Sequence, residues 1–149
     1  MRVAREAIAG LPGVKGPILG SPIYETEPVD CEPGAPKFLN AVVEFDYQGD
    51  PAALLEELIR IEESLGRERY HARNVSRRID LDLLYLGDVM LGGDELQLPH
   101  PQIHLRRFVL QPLTDIHPDL ILPNQRTSVR ELLAQLRDSG KVMRFKDQW

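Results

Sequence analysis

Two aspartates at alternate positions, Asp80 and Asp82, have the residue type and spacing that most clearly suggest chemistry. They lie in the run RRIDLDLL at residues 77–84, where apolar residues separate and follow the two acids. On a β-strand, residues i and i+2 point to the same face and lie roughly 6.6 Å apart, at ~3.3 Å per residue. Carboxylates in apolar surroundings are costly unless they are paired or bind a metal. Because Mg²⁺ is usually held by one or two carboxylates, water and phosphate oxygens, the pattern favours a magnesium site over a solvated acidic face.

An arginine-rich segment precedes the two aspartates. Residues 60–78 contain six arginines and no lysine. A guanidinium group pairs phosphate oxygens through two parallel hydrogen bonds, which a lysine cannot do. Carboxylate-bound Mg²⁺ together with arginines is typical of phosphoryl transfer, and the sequence has neither a P-loop nor a protein-kinase Gly-rich loop. The segment is therefore predicted to close over a polyphosphate.

A third feature is the run LPHP at residues 98–101. A histidine between two prolines has a restricted backbone, so His100 could reach a phosphate or a metal-bound water. A turn histidine without a chemical role fits the same pattern equally well.

Helices and strands must alternate to position these residues. The apolar periodicity predicts helices over 1–11, 50–65, 104–114 and 128–137, and strands over 14–25, 38–47, 79–86 and 141–145, with a hairpin near 92–98 and a loop over 26–37. Asp50 and Pro51 are suited to start the second helix, and Gly66 to end it. Pro17 and Pro22 indicate an edge strand. The predicted fold is an α+β, ferredoxin-like sandwich, with helices packed on a mainly antiparallel open sheet.

Length and composition exclude several classes of protein. A chain of 149 residues corresponds to one domain, spanning 1–149. Its net charge of −5 argues against nucleic-acid and membrane binding. One cysteine, Cys31, suits a reducing cytoplasm, and no apolar run approaches the ~18 residues of a membrane span. We expect a cytoplasmic monomer that acts on small molecules.

Taken together, these residues resemble the 6-hydroxymethyl-7,8-dihydropterin pyrophosphokinase family of folate synthesis. The resemblance covers most of the chain in family order and is carried by Tyr24-x-Thr26, Phe38-Leu39-Asn40, Glu62, Arg73-x-x-x-Arg77-x-x-Asp80-Leu81-Asp82, Leu98-Pro99-His100-Pro101 and Arg106-x-Phe108. It implies transfer of a pyrophosphoryl group from ATP to the primary hydroxyl of the pterin, with release of AMP.

The resemblance also implies a role for each matching residue. Asp80 and Asp82 would hold two Mg²⁺ ions. Catalytic contacts to phosphates or to the departing product would come from Arg67, Arg69 and Arg77. The nucleotide would be bound by Glu62, Arg73, Ile79, Leu83, His100 and Arg106, and the pterin by Thr26, Phe38, Asn40 and Phe108.

The pterin set is also reasonable on physical grounds. Flat heterocycles stack on aromatic faces, which suits Phe38 and Phe108. The amide of Asn40 offers both a donor and an acceptor, as the edge of a pyrimidinone ring requires. On a strand, Asn40 shares a face with Phe38 and points away from Leu39. A pocket wall made by Phe38 and Asn40 is therefore predicted.

The sequence departs from the family at its start. The family's first strand and its Gly-Ser-Asn-type turn have no counterpart before the first helix, so we expect the natural start to lie roughly 20 residues upstream, since two strand edges would otherwise stay open. One alternative is an inactive ferredoxin-like relative or binding module. Another is a two-metal nucleotidyltransferase or other phosphotransferase, with Asp46 as its third carboxylate.

Overall fold

A computed structural model describes residues 1–27, 37–66, 79–137 and 140–149. These residues contain helices and antiparallel strands, which confirms the predicted α+β class. In chain order the elements are α1 (Arg2–Ala9), β1 (Val14–Gly20), β2 (Ile23–Thr26), β3 (Phe38–Asn40), β4 (Val43–Tyr47), α2 (Pro51–Ser64), β5 (Leu91–Gly92), β6 (Gln97–Leu98), a 3-10 turn (Ile103–Leu105), α3 (Arg107–Ile116), α4 (Val129–Gln135) and β7 (Val142–Lys146).

The first four strands form one long antiparallel hairpin that is interrupted in its middle. Strand β1 pairs with β4, and β2 pairs with β3. The last strand, β7, pairs with the other side of β2, which gives a three-stranded sheet in the order β3-β2-β7. The prediction of a single edge strand over 14–25 is correct only for its first part. In the described sheets β1, with Pro17, has one partner, whereas β2 lies between β3 and β7. Strands β5 and β6 form the predicted short hairpin.

The prediction of one continuous strand over 38–47 is wrong, because residues 41–42 separate β3 from β4. The interruption arises from Ser21, which is 1% exposed. Its backbone N–H donates to the carbonyl of Val42, but the N–H of Val42 donates to the Ser21 hydroxyl at 3.0 Å. The carbonyl of Ser21 instead accepts from the indole of Trp149 at 2.8 Å. The regular ladder therefore stops here, next to Pro22, which has no N–H to donate.

The predicted strand over 79–86 is also wrong, since these residues pair with no strand in the described part of the chain. Their backbone groups have other partners. The N–H of Leu81 donates to the carboxylate of Glu62, and the carbonyl of Leu84 accepts from the N–H of His100. The segment is therefore held by a side chain and by the run 98–101 instead of by a neighbouring strand.

The helices agree well with the predicted periodicity. Asp50 caps α2 by accepting from the N–H of Ala53, and Gly66 after its end has a φ of 104°. Ser128 and Glu131 form a capping box at the start of α4. The predicted helix 104–114 is a 3-10 turn followed by α3, which extends to Ile116.

Two apolar clusters form the core. One lies between α1 and α2, where Ala4, Ile8, Leu54, Leu58 and Ile61 are buried. The other surrounds α3, and its buried residues are Val42, Ile103, Val109, Leu110, Leu113, Leu122 and Val129. In the described ranges, no helix combines the length and the apolar character that crossing a bilayer requires.

Candidate functional site

Asp80 and Asp82 lie on the outward side of the segment 79–83. Ile79, Leu81 and Leu83 pack against the cluster between α1 and α2, while the two aspartates between them are exposed. Both carboxylates therefore project from the same side, although no strand of the described residues pairs with this segment. The apolar residues of the segment anchor it to the core.

Glu62 fixes the backbone between the two aspartates. It lies in the last turn of α2, is 2% exposed, and accepts a 2.6 Å hydrogen bond from the N–H of Leu81. The sequence resemblance assigned Glu62 to nucleotide binding, and that contact stays a prediction. The sequence did not predict that Glu62 supports the backbone of the segment 79–83, called the aspartate segment below.

His100 lies beside the end of the same segment. Its backbone N–H donates to the carbonyl of Leu84 at 2.7 Å, two residues after Asp82. Its ring Nδ1 accepts from the N–H of Gln102 at 3.2 Å. A neutral imidazole that accepts at Nδ1 carries its proton on Nε2, so His100 can donate that proton to a phosphate oxygen.

The predicted pterin-binding residues of the sheet share one face. Phe38 and Asn40 alternate on β3, and their cross-strand partners on β2 are Thr26 and Tyr24. The amide nitrogen of Asn40 donates to the hydroxyl of Thr26 at 2.9 Å. A second amide N–H and the amide oxygen of Asn40 are not used in this bond. Phe38 is 54% exposed, so its ring can receive a flat ligand.

This face of the sheet is turned toward α3. The hydroxyl of Tyr24 donates a 2.6 Å hydrogen bond to Asp115 in the last turn of α3. Phe108 lies in the first turn of the same helix and packs against the core cluster around α3. The guanidinium of Arg106 lies over the Phe108 ring, 5.6 Å from its centroid. Phe38 and Phe108 therefore lie on elements that are joined to each other through β2, and the stacking of a flat ring between them stays a prediction.

The residues predicted to bind phosphates and the residues predicted to bind the pterin border the same core cluster. Leu84, at the end of the aspartate segment, and Phe108 both pack against the buried cluster around α3. Ile103, which is fully buried in that cluster, lies in the chain between His100 and Arg106. The phosphate-side residues and the pterin-side residues are thus attached to one packed unit.

Two tyrosines next to these residues have perturbed acidities. Burial, followed by the hydrogen bond to Asp115 and the charge of that carboxylate, raises the pKa of Tyr24 to about 12. The hydroxyl of Tyr85 donates to Glu44 at 2.7 Å, and burial together with this carboxylate raises the pKa of Tyr85. Both hydroxyls are therefore fixed donors at neutral pH.

Four predicted site residues, Arg67, Arg69, Arg73 and Arg77, lie outside the described residues. Of the other predicted contacts, Ile79 and Leu83 have side chains that pack against the core, and binding of the nucleotide by their backbone stays a prediction.

The donor set at Asp80 and Asp82 fits magnesium. Two exposed carboxylates on one side of the chain are the ligands expected for an ion that keeps several waters and binds substrate phosphates. Within the described ranges, no group of three or more His, Cys, Asp or Glu side chains is arranged to hold a metal ion. A cage made only of protein ligands is therefore not found in these ranges.

Comparison with known proteins identifies the family. A sequence model of 7,8-dihydro-6-hydroxymethylpterin-pyrophosphokinase matches residues 1–118. The 2-amino-4-hydroxy-6-hydroxymethyldihydropteridine pyrophosphokinase of Haemophilus influenzae is 37% identical over 122 residues, 82% of this chain and 74% of its own. The enzyme of the same name from Methylorubrum extorquens is 39% identical over 137 residues, 92% of this chain and 84% of its own. A folate synthesis bifunctional protein of Arabidopsis thaliana is 42% identical over 94 residues, 63% of this chain and 19% of its own. The chain therefore belongs to the 7,8-dihydro-6-hydroxymethylpterin-pyrophosphokinase family.

Proposed function

We propose that this protein transfers a pyrophosphoryl group from ATP to the hydroxyl of 6-hydroxymethyl-7,8-dihydropterin, giving AMP and the pterin diphosphate in folate biosynthesis. The observation that carries the proposal is the family match over residues 1–118, which includes all the described site residues. The enzyme is accordingly an ATP-dependent transferase with two small-molecule substrates.

On the pterin side, the proposal assigns ring stacking to Phe38 and Phe108 and edge recognition to Asn40. The exposed ring of Phe38 and the placement of Phe108 on the facing helix support stacking. The hydrogen bond from Asn40 to Thr26 supports a fixed amide, because it holds one N–H and leaves the other N–H and the oxygen to the ligand. Such a site would select a flat ring with a donor and an acceptor on one edge.

On the phosphate side, Asp80 and Asp82 are proposed to hold two Mg²⁺ ions. When bound there, magnesium would neutralise phosphate charge and orient the triphosphate. His100 would donate from Nε2, Arg106 from its guanidinium, and the arginines Arg67, Arg69, Arg73 and Arg77 would pair phosphate oxygens. Phosphoryl transfer depends mainly on positioning and electrostatics, which such groups supply.

The same proposal extends to the setting of the reaction. We infer a single pyrophosphokinase domain over residues 1–149 with a ferredoxin-like sandwich, acting as a monomer in the cytoplasm. The antiparallel pairing of β2 with both β3 and β7, with α3 bonded to β2, supports such a layered arrangement.

The test is an assay of AMP and pterin diphosphate formation with ATP, Mg²⁺ and the hydroxymethyl-dihydropterin. We expect the two products to form in equal amounts, and AMP release to stop when the pterin or Mg²⁺ is omitted. Release of pyrophosphate in place of AMP, or AMP release that does not require the pterin, would contradict the proposal and indicate a nucleotidyltransferase or a simple hydrolase.

A further inference from the structure

Tyr24 connects the sheet that carries Phe38 and Asn40 to the helix that carries Phe108. The residue is 5% exposed, and its hydroxyl donates to Oδ2 of Asp115 at 2.6 Å. The two residues are 91 positions apart, so the bond is a tertiary contact between β2 and α3. A hydrogen bond to an ionised carboxylate is roughly twice as strong as a neutral one. The bond is therefore a defined attachment point between the two elements.

On α3, the attachment point and the aromatic ring belong to the same face. Phe108 and Asp115 are seven residues apart, which is two helical turns or ~10.5 Å along the axis at ~1.5 Å per residue. Gln111 lies between them on this face, and its side chain also interacts with the hydroxyl of Tyr24. A shift of Asp115 relative to the sheet would therefore be passed along the helix to Phe108.

On the sheet, Tyr24 is next to the residues that face the ligand. It is the cross-strand partner of Asn40, and it lies two residues before Thr26, which accepts the hydrogen bond from Asn40. The face that contains Tyr24, Thr26, Asn40 and Phe38 is the one joined to α3. The attachment point thus lies two residue pairs along the ladder from Phe38, on the same face of the sheet.

We propose that the Tyr24–Asp115 hydrogen bond sets the spacing between Phe38 and Phe108, so that both of its members are positioning residues for the pterin ring. A flat ring contacts two aromatic side chains at once only at one separation of their planes. An error of about 1 Å in such a site can reduce the rate about 100-fold. The inference rests on the proposed function, because it takes the ligand between the two rings to be the pterin.

The test compares Tyr24→Phe, Asp115→Ala and the double variant. Pterin affinity is measured by calorimetry with Mg²⁺ and a non-hydrolysable ATP analogue, and KM values for pterin and ATP are measured separately. We expect each single variant to weaken pterin binding roughly tenfold, the size of one hydrogen bond to a charged group. The KM for ATP should change less than about twofold, and the double variant should be no weaker than the single ones, because one shared bond is lost.

A matched control is Tyr85→Phe, which removes the other tyrosine–carboxylate bond, to Glu44 at 2.7 Å. This bond does not join β2 to α3, so pterin affinity should be retained. Equal losses in Tyr24→Phe and Tyr85→Phe, or equal losses for pterin and ATP, would indicate a general effect on folding and overturn the inference.

Should Asp115→Ala not fold, Asp115→Asn keeps the side-chain volume and still weakens the bond, and its affinity decides the question. If the wild type binds the pterin and the Tyr24 and Asp115 variants bind it equally well, the positioning role is contradicted but the proposed function is not. Absence of pterin binding to the wild type contradicts the proposed function as well.

Discussion

The buried carboxylate of Glu62 accepts a 2.6 Å hydrogen bond from the backbone N–H of Leu81, the residue between Asp80 and Asp82. A strand neighbour would normally satisfy such an N–H, but within the described residues this segment has none. Helix α2 is itself fixed by the burial of Leu54, Leu58 and Ile61. Glu62 therefore fixes the backbone between the two aspartates relative to the packed helix α2.

Replacing Glu62 should affect both stability and turnover. Glu62→Ala leaves the N–H of Leu81 without its acceptor, which costs about 1–3 kcal/mol of unfolding free energy. Glu62→Gln keeps an acceptor oxygen, so its loss of stability should be smaller. Urea unfolding measures the stability, and the AMP assay measures the turnover. Equal stability of wild type and Glu62→Ala would contradict a supporting role for this carboxylate.

The aspartates themselves should matter for activity and not for folding. Asp80→Ala and Asp82→Ala are each expected to lower product formation roughly 100-fold or more, because the proposed magnesium ligation, and with it positive charge beside the transferring phosphate, would be lost. Thermal unfolding should change little, because both side chains are exposed. Asp88→Ala is a matched control, since it removes an exposed carboxylate from the turn that follows. Near-normal turnover in either site variant would rule out the assigned metal ligation.

Sequence patterns correctly predicted the elements that are determined by residues close together in the sequence. The helix α2 follows from its capping residues Asp50 and Pro51 and its apolar periodicity, and the structure shows the cap directly. The predicted helix over 128–137 begins with a capping box at Ser128, which the structure adds to that prediction. These signals depend on neighbours in sequence, so the sequence is sufficient to identify them.

The two strand errors have a different cause. The apolar and polar alternation matches the burial only in part. Asp80 and Asp82 are exposed between the half-buried Ile79, Leu81 and Leu83, but Leu39 is exposed and Val42 is buried, and strand pairing depends on distant residues. The ladder near Val42 is interrupted by Ser21, whose carbonyl is taken by Trp149, 128 positions away. For 79–86, the partners are Glu62 and His100. No local pattern indicates such contacts, and the same limit applies to the Tyr24–Asp115 bond.

Stacking by Phe38 gives a prediction on substrate affinity. Loss of one aromatic platform under a flat heterocycle costs about 1–3 kcal/mol, so Phe38→Ala should raise the KM for pterin roughly 5- to 150-fold. Phe145→Ala is a suitable control, because Phe145 on β7 has a similar exposed fraction, 58% against 54%. An equal pterin KM in the two variants would remove Phe38 from the binding site.

A contact between α1 and the last residue described should contribute to stability. The guanidinium of Arg5 donates to the main-chain oxygens of Trp149 at 2.9 Å and Ile18 at 2.8 Å, and it lies over the Trp149 ring. Lysine cannot donate in both directions from one planar group. Arg5→Lys should therefore lower the urea midpoint more than Arg2→Lys, since Arg2 on the same helix is exposed and contacts Glu6 in the next turn. The prediction is wrong if the two midpoints coincide.

Alkaline pH should destabilise the fold through Tyr24. The folded-state pKa of this phenol is about 12, against 10.0 for the unfolded chain. The stabilisation is therefore complete below pH 10, and it is lost as pH rises toward 12, because the unfolded chain releases the proton first. Urea midpoints measured between pH 9 and about 12 should fall less steeply in Tyr24→Phe than in the wild type. Since the pKa of Tyr85 is raised in the same direction, the double variant Tyr24→Phe/Tyr85→Phe should have the flattest profile. Parallel profiles for the wild type and both variants would mean that neither phenol has a raised pKa in the folded protein.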